Sequence, residues 1–272
     1  MNSHSQVLQQ QLNTTMTQTG QPEPQRLAKR LAAQLACSRS DAEDYIAGGW
    51  VRVDGVVVEE PMERVHDHQT LLLDPKAKLE PLASMTLIWH KPANRVLPDE
   101  PLLPDALAAK WFTNSNRFKG DRSGVRPLKA HLHKLLPVSP LGTKASGLMV
   151  FTQNPSVARK MTDDAGQLEH EWLAEVAADP ELEDEARRDA VLKSLGKALF
   201  FDGWAVPSAR ASWQSELRLR LAIKGNRPGQ VAHLCERAGL QLTALRRLRL
   251  GRISLAGLPV GEWRYLLPYE RF

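Results

Sequence analysis

The sequence predicts an α+β protein of two domains, a small one followed by a larger one on a mixed, largely antiparallel sheet. Three observations favour this class. The chain has 272 residues, enough to bury two hydrophobic cores. Residues 24 to 78 contain two runs of helical apolar spacing and then a hairpin signal. Residues 84 to 272 alternate strand-like runs with short amphipathic helices.

Composition narrows the class of partner. The formal net charge is +5 and the isoelectric point about 9.3, which favours a polyanion such as nucleic acid without requiring one. Cys37 and Cys235 form no C-x-x-C pair, which excludes a disulfide framework and favours a reducing cytoplasm. The N-terminus lacks the pattern of a signal peptide, and no apolar stretch reaches the ~18 residues of a membrane span. We expect a cytoplasmic monomer without metal or cofactor.

The chain begins with a polar segment and continues into two predicted helices. Residues 1 to 23, rich in Gln, Thr and Asn, predict a disordered tail. Leucines at helical spacing predict a first helix over residues 24 to 36. Ser40 and Glu43 have capping-box spacing, which predicts that the second helix begins there and ends at the following glycine pair.

A hairpin follows the second helix. Asp54 and Gly55 lie between two valine-rich runs, the pattern of a type I′ turn. Residues 71 to 73 predict one more strand. The order in the small domain is therefore helix, helix, hairpin, strand.

Basic residues cluster on the two predicted helices. Arg26, Lys29 and Arg30 share one face of the first helix, and Arg39 lies just before the predicted start of the second. Helix N-termini attract phosphate through free N–H groups and the helix dipole. This pattern favours contact with the phosphate groups of a nucleic acid, with a merely solvated helix face as the alternative.

The small domain resembles the RNA-binding domain named after the fourth small-subunit ribosomal protein. The matching motifs are Arg26-Leu-x-Lys29, Cys37-Ser-Arg39 and Val53-Asp-Gly55. The resemblance implies that residues 24 to 78 bind structured RNA through backbone and shape.

The second domain contains regular segments and one long irregular stretch. Residues 93 to 134 are predicted irregular, and residues 114 to 126, polar and basic with glycines, predict a mobile surface loop. The predicted strands cover residues 85–89, 170–176 and 215–223, and the predicted helices cover residues 155–161, 181–196 and 231–238.

Two segments of the second domain resemble bacterial RNA pseudouridine synthases of the RsuA/RluF type. Residues 137 to 152 read PVSPLGTKASGLMVFT, and the C-terminal segment reads LTALRRLRLGRISLAGLPVGEWRYL over residues 242 to 266. The resemblance extends over residues 24 to 267 and implies the pseudouridine synthase fold. Making pseudouridine breaks the N–C glycosidic bond of a uridine that has left its stack, turns the base and rejoins it through carbon.

The resemblance also identifies the expected active site and its changes. With Gly147-Leu148 aligned, the family aspartate falls on Gly142, which has no side chain to act as its carboxylate. The family arginine two positions earlier is Pro140. The family tyrosine is Trp172, which keeps a stacking face but lacks the phenolic oxygen. Two further arginines become Ala232 and His233.

Other candidate residues carry weaker arguments. Thr143 lacks a base to activate it, and Asp163 or Asp164 would have to fold back to replace the aspartate. His131 and His133 have spacing usable by a metal but no third ligand. A basic cluster at strand spacing could extend an RNA surface, with Arg247 as its RNA-binding candidate; its members are Arg246, Arg247, Arg249 and Arg252.

Three functions from different classes remain open. The first is an RNA-binding protein that kept the synthase scaffold and lost catalysis, with structured, ribosomal RNA as its partner. The second is an active synthase for ribosomal or transfer RNA with a relocated catalytic group. The third is a protein-interaction scaffold, against which the basic residues of the small domain argue.

Overall fold

The protein is described from a computed structural model that covers residues 23–201, 203–225 and 227–272. The predicted tail therefore lies outside the described residues, apart from its last position. The chain divides into two compact units, with the division between Leu82 and Ala83. None of the described helices has the length and apolar character needed to cross a bilayer.

The first unit packs two helices on a three-stranded antiparallel sheet. Strand β2 lies between β3 and β5, and β1 pairs separately with β4. The core joins Leu27 and Leu31 of the first helix, Ile46 of the second and Val51 of the sheet, all fully buried. The elements are β1 (Gln25–Arg26), α1 (Leu27–Leu35), α2 (Arg39–Ala47), β2 (Val51–Val53), β3 (Val56–Val58), β4 (Arg64–Val65) and β5 (Leu71–Leu73).

The predicted hairpin is present, but the helix starts differ from the prediction. Asp54 and Gly55 have φ values of 51° and 83°, as a type I′ turn requires. The predicted capping box at Ser40 is wrong, because Ser38 caps α2. Its Oγ accepts from the Asp41 amide at 3.0 Å, and the Asp41 carboxylate accepts from the Ser38 amide at 3.2 Å. The first helix begins later than predicted because β1 occupies the preceding residues.

The second unit is built on a sheet that contains nine strands in the described residues. The order along the sheet is β12-β13-β9-β14-β8-β6-β16, with β7 on β8 and β15 on β14. The strands are β6 (Thr86–Lys91), β7 (Leu136–Val138), β8 (Ser146–Thr152), β9 (Glu169–Val176), β12 (Arg210–Ser215), β13 (Arg218–Lys224), β14 (Leu242–Leu250), β15 (Ile253–Ser254) and β16 (Trp263–Tyr265), with a separate hairpin of β10 (Leu199–Phe201) and β11 (Trp204–Val206).

Helices and short 3-10 turns complete the second unit. One helix, Asp105–Trp111, lies in residues 93 to 134, which were predicted to be irregular. The helix predicted over residues 181 to 196 is divided into a 3-10 turn and a shorter α-helix. The helices are α3 (Asp105–Trp111), α4 (Pro155–Asp163), α5 (Glu185–Leu195) and α6 (Gln230–Arg237), with 3-10 turns at Lys129–Leu132 and Pro180–Glu183.

The sheet is largely antiparallel, as the sequence predicts. Among its described neighbours only β14 and β8 run parallel, and they pair Arg246 with Ser146 and Arg247 with Gly147. Gly147 has a φ of 110°, and a Cβ there would collide with the Arg247 carbonyl oxygen. Only glycine allows this close approach of the two strands.

The two faces of the sheet are covered differently. Trp172 and Ala174 of β9 and Leu221 of β13 lie in the core that includes residues of α5 and α6. Because side chains alternate along a strand, Glu169 and Glu171 lie on the opposite face. That face is apolar beside Leu148 and Val150 but carries charged side chains on β9, β12 and β13.

Two predictions in this unit are corrected. Residues 215 to 223 do not form one strand, because β12 ends at Ser215 and β13 begins at Arg218. The segment 114 to 126 was expected to be a mobile loop, but hydrogen bonds anchor it to β16. Asn116 Oδ1 accepts from Trp263 Nε1 at 3.1 Å, and Asp121 accepts from the Tyr265 amide at 3.3 Å.

Candidate functional site

A cleft of about 650 Å³ brings together four of the five positions at which the resemblance implies changed synthase motifs, and the fifth, His233, does not line it. Pro140 and Gly142 lie on the loop before β8, Trp172 on β9 and Ala232 on α6. The resemblance placed these residues at one site, and in the structure they line one cleft. The first part of β14 completes its wall.

Buried Arg247 holds the beginning of the loop that carries Gly142. Its Nη1 and Nη2 donate to the Ser139 hydroxyl at 2.9 Å and the Ser139 carbonyl at 2.7 Å. Its Nε donates to the Leu148 carbonyl at 2.7 Å. The side chain is completely buried, and burial lowers the pKa of Arg247 to about 9. The guanidinium is enclosed and its bonds stabilise the loop and β8, which argues against the predicted contact of Arg247 with RNA.

Buried Lys91 holds the other end of the same loop. Its Nζ donates to the carbonyls of Ala145 at 2.8 Å, Thr143 at 3.0 Å and Pro92 at 3.1 Å. Burial lowers the pKa of Lys91 to about 8, with a smaller contribution from the charge of Arg95. Lys91 and Arg247 together fix the loop on both sides of Gly142.

The clamped loop has room for a carboxylate but does not carry one. A Cβ built on Gly142 would meet nothing within 4 Å, and its φ is not in the left-handed region. Within the described residues, neither Lys91 nor Arg247 forms an ion pair with an acidic side chain. The loop therefore has two buried basic side chains, and it has no anion at Gly142, the position to which the resemblance assigns the family's carboxylate.

One acidic side chain lines the cleft, and the sequence interpretation missed it. Glu236 lies on α6 and is exposed. It follows Ala232 by four residues, so the two share a helix face; this spacing was the available signal. Asp163 and Asp164, suggested from the sequence as replacements, do not line this cleft, and Asp164 pairs with Lys160 at 2.7 Å.

Trp172 is mostly enclosed by its neighbours. Its side chain is 2% exposed, and the Arg247 Cζ lies 5.6 Å from its ring centroid. Its Nε1 has no hydrogen-bond partner among the described residues. Trp172 forms part of the cleft wall but exposes little of its side chain to a bound molecule.

The two histidines considered as metal ligands have other partners. His131 Nδ1 lies 2.8 Å from the Tyr265 hydroxyl, and burial lowers the pKa of His131 to about 4. His133 Nδ1 lies 2.6 Å from the Asp105 carboxylate. In the part of the chain that the structure describes, no three acidic, histidine or cysteine side chains gather as metal ligands.

The basic residues of the first unit divide into two kinds. Arg30 donates to the carbonyls of His66, Asp67 and Gln69, so it stabilises that turn. Arg39 is the first residue of α2 and pairs with Glu43 at 3.1 Å. The side chains of Arg26 and Lys29 are exposed and have no polar partner in the described residues, so they are the most available cations of the patch.

Arg252 and Arg246 differ from their buried neighbour Arg247. Arg252 is exposed between β14 and β15, and Arg246 is half-buried on β14. Arg249 forms ion pairs with Glu169 and Glu171. Among the four arginines of this cluster, only Arg247 forms hydrogen bonds that stabilise the cleft loop.

Comparison with known proteins places both units. The family model for the S4 domain matches residues 25–71. The chain is 23% identical over 252 residues to the dual-specificity RNA pseudouridine synthase RluF of Salmonella typhi, covering 90% of this chain and 76% of that protein. It is 25% identical over 248 residues to an uncharacterized RNA pseudouridine synthase of Aquifex aeolicus (strain VF5), covering 90% and 94%.

A solved structure agrees on the fold. The crystal structure of a pseudouridylate synthase superimposes with a TM-score of 0.50 and 19% identity, covering 89% of this chain and 96% of that one. The S4 domain, the relatives that match most of the chain and the shared fold lead to one assignment. The chain contains an S4 domain and, over most of its length, is similar to RNA pseudouridine synthases such as RluF.

Proposed function

We propose that this protein binds structured, ribosomal RNA and has lost the catalytic step of its family. The observation that carries the proposal is the cleft itself. Its loop is fixed by Arg247 and Lys91, yet the position of the family carboxylate is Gly142. The relatives are named RNA pseudouridine synthases, and the S4 domain supports RNA binding. We place the protein in the cytoplasm as a monomer, and both described cysteines are free thiols.

The residues that remain in the cleft can hold a base but do not supply the missing chemistry. Breaking the glycosidic bond needs an ionised group placed against the sugar or the base. Thr143 offers a neutral hydroxyl with no base beside it, and Lys144 is an exposed cation. Trp172 and Val231 give apolar lining that a uracil can contact. Binding of a flipped nucleotide can therefore persist without isomerisation.

The first unit supplies the grip on the RNA backbone. Arg26, just before α1, and Lys29, within it, present two exposed charges, and Arg39 lies in the first turn of α2. Phosphate groups favour this arrangement because the helix N-terminus adds a partial positive charge to the side-chain cations. The first unit therefore recognises the charge and shape of the RNA backbone rather than its base sequence.

The RNA role is tested by a double variant with a matched control. Arg26→Ala with Arg39→Ala should weaken binding to ribosomal RNA and lower the slope of log affinity against log salt by about 1 to 2. Lys76→Ala with Lys78→Ala removes the same charge from exposed positions of the same unit. Its expected affinity and slope are close to wild type. Equal behaviour of both double variants would refute a specific RNA surface on the first unit.

One observation favours an active synthase as a second candidate. Glu236 lines the cleft and lies one helical turn after Ala232, so it is the carboxylate best placed to take over the missing role. If the wild-type protein makes pseudouridine, Glu236→Gln should abolish it while RNA affinity stays unchanged. Full activity in that variant would exclude Glu236.

A further inference from the structure

A second groove, of about 610 Å³, lies on the face of the sheet opposite the cleft. Trp172 lines the cleft and its neighbour Glu171 lines this groove. Successive side chains of a strand point to opposite faces, so the two openings are separate. The groove is lined by residues of β6, β9, β13 and β14 and by the segment that follows β15. The lining includes His90, Glu171, Arg220, Arg246, Arg249 and Gly257.

Two of the groove's arginines are held in place by glutamates. Arg249 donates to Glu171 at 2.8 Å and to Glu169 at 2.5 Å, and Arg220 also donates to Glu171. Glu171 is 6% exposed, so the network is anchored in the sheet. Such a network fixes the guanidinium groups and reduces the side-chain entropy that a ligand would otherwise have to remove.

Arg246 is the unsatisfied cation of the groove. It is half-buried and forms no hydrogen bond or ion pair with any described residue. It lies near enough to His90 that its charge, after burial, helps to lower the pKa of that imidazole. Three arginines therefore line the groove against one glutamate, and the third arginine has no counter-charge of its own.

His90 adds a second sign that something polar binds here. It is 4% exposed, and its Nδ1–H donates to the Leu258 carbonyl at 2.7 Å. A carbonyl can only accept, so Nε2 of the neutral ring is an acceptor. Nε2 is buried and has no hydrogen-bond partner in the described chain. A hydroxyl group that reached it, such as a ribose 2′-hydroxyl, would satisfy this buried acceptor.

We propose that this groove is a phosphate-binding site, with Arg246 as its principal ligand and Arg249 and Arg220 as fixed flanking cations. Guanidinium groups bind phosphate through paired, charge-assisted hydrogen bonds, and a partner-free arginine beside two immobilised ones suits a single phosphate. The phosphate belongs either to the backbone of an RNA or to a free phosphorylated anion. The first source rests on the proposed function, whereas the second does not.

Direct titration of the full chain tests the site. We would measure the affinity of inorganic pyrophosphate and of a short single-stranded RNA for the wild type, Arg246→Glu, Arg246→Gln and the control Arg122→Glu. Arg122 is exposed, has no polar partner among the described residues and does not line the groove. Thermal melting would show whether each variant folds. If Arg246→Glu does not fold, Arg246→Gln still tests the site.

The expected result is at least a tenfold loss of pyrophosphate affinity in Arg246→Glu, a smaller loss in Arg246→Gln and no change in Arg122→Glu. A parallel fall in RNA affinity, with a salt slope lower by about 1, would assign the phosphate to RNA. A fall for pyrophosphate alone would assign the site to a free anion. Unchanged pyrophosphate and RNA affinities in both Arg246 variants would overturn the proposal. A wild type that binds pyrophosphate but no RNA would refute the RNA-binding function and leave the groove intact.

Discussion

Replacing buried Arg247 with methionine should destabilise the second unit by about 3–5 kcal/mol, because buried acceptors lose the donor that satisfies them. Methionine keeps an unbranched apolar stem of similar length, so the change removes mainly the guanidinium. Three hydrogen bonds are lost, to Leu148 O, Ser139 O and Ser139 Oγ. Each acceptor left unsatisfied costs about 1–3 kcal/mol, and part of that total is offset because a desolvated cation is also removed.

Arg246→Met is the matched control for this experiment. Arg246 is the preceding residue on β14, and its side chain forms no hydrogen bond or ion pair with the described residues. Its loss should change stability by less than about 0.5 kcal/mol, as for most surface substitutions. Both variants leave backbone and net charge comparable, so the difference between them reports the buried bonds of Arg247.

Urea unfolding followed by tryptophan fluorescence measures the effect. With a slope of about 2–3 kcal/mol per molar urea, Arg247→Met should lower the midpoint by roughly 1–2 M. Arg246→Met should leave it nearly unchanged. Equal midpoints for the two variants would refute the conclusion that Arg247 holds the cleft loop in place.

Three further predictions concern the cleft loop. Gly142→Asp should fold, because a Cβ at this position has open space. The variant should still form no pseudouridine, since Pro140 and Trp172 remain unchanged in the cleft. A newly modified uridine in RNA mapping would contradict this expectation. Burial lowers the pKa of Lys91 from 10.5 to about 8, so between these pH values the unfolded chain binds more protons than the folded chain. The free energy of unfolding of the wild type should therefore rise from pH 8 to 10 relative to that of Lys91→Met. If urea unfolding showed that the stability of the wild type falls over this pH range relative to Lys91→Met, the lowered pKa of Lys91 would be refuted. Gly147→Ala should lower the melting temperature by several degrees, because its Cβ collides with the Arg247 carbonyl; an unchanged melt would show that β14 and β8 can separate.

The sequence predicts local features well where a short motif determines the backbone. The turn at Asp54 and Gly55 follows from residues that tolerate positive φ. The α2 start could not be placed to the residue, because two serines precede acidic residues at similar spacing and only the fold selects Ser38. The family resemblance was needed to bring Gly142, Trp172 and Ala232 to one cleft.

The roles of the arginines on β14 could not be predicted from strand spacing. A regular strand would place Arg247 and Arg249 on the same face. The register shifts between them, so Arg247 pairs with Trp172 and Arg249 with Glu171, whose side chains lie on opposite faces. A β-bulge of this kind depends on the neighbouring strand and leaves no clear signal in a single sequence. As a result Arg247 is buried, and Arg246 and Arg249 line the opposite groove.

Loss of catalysis with retention of RNA binding is tested most directly by base-resolved mapping of pseudouridine. The purified protein would be incubated with total ribosomal RNA from a strain that lacks it, and the same preparation would be titrated for RNA affinity at several salt concentrations. The exposed basic residues of the first unit predict salt-dependent RNA binding. The absence of a carboxylate at Gly142 predicts no new pseudouridine. A uridine modified only when the protein is present would contradict the loss of catalysis, and Glu236 would then be the first residue to replace.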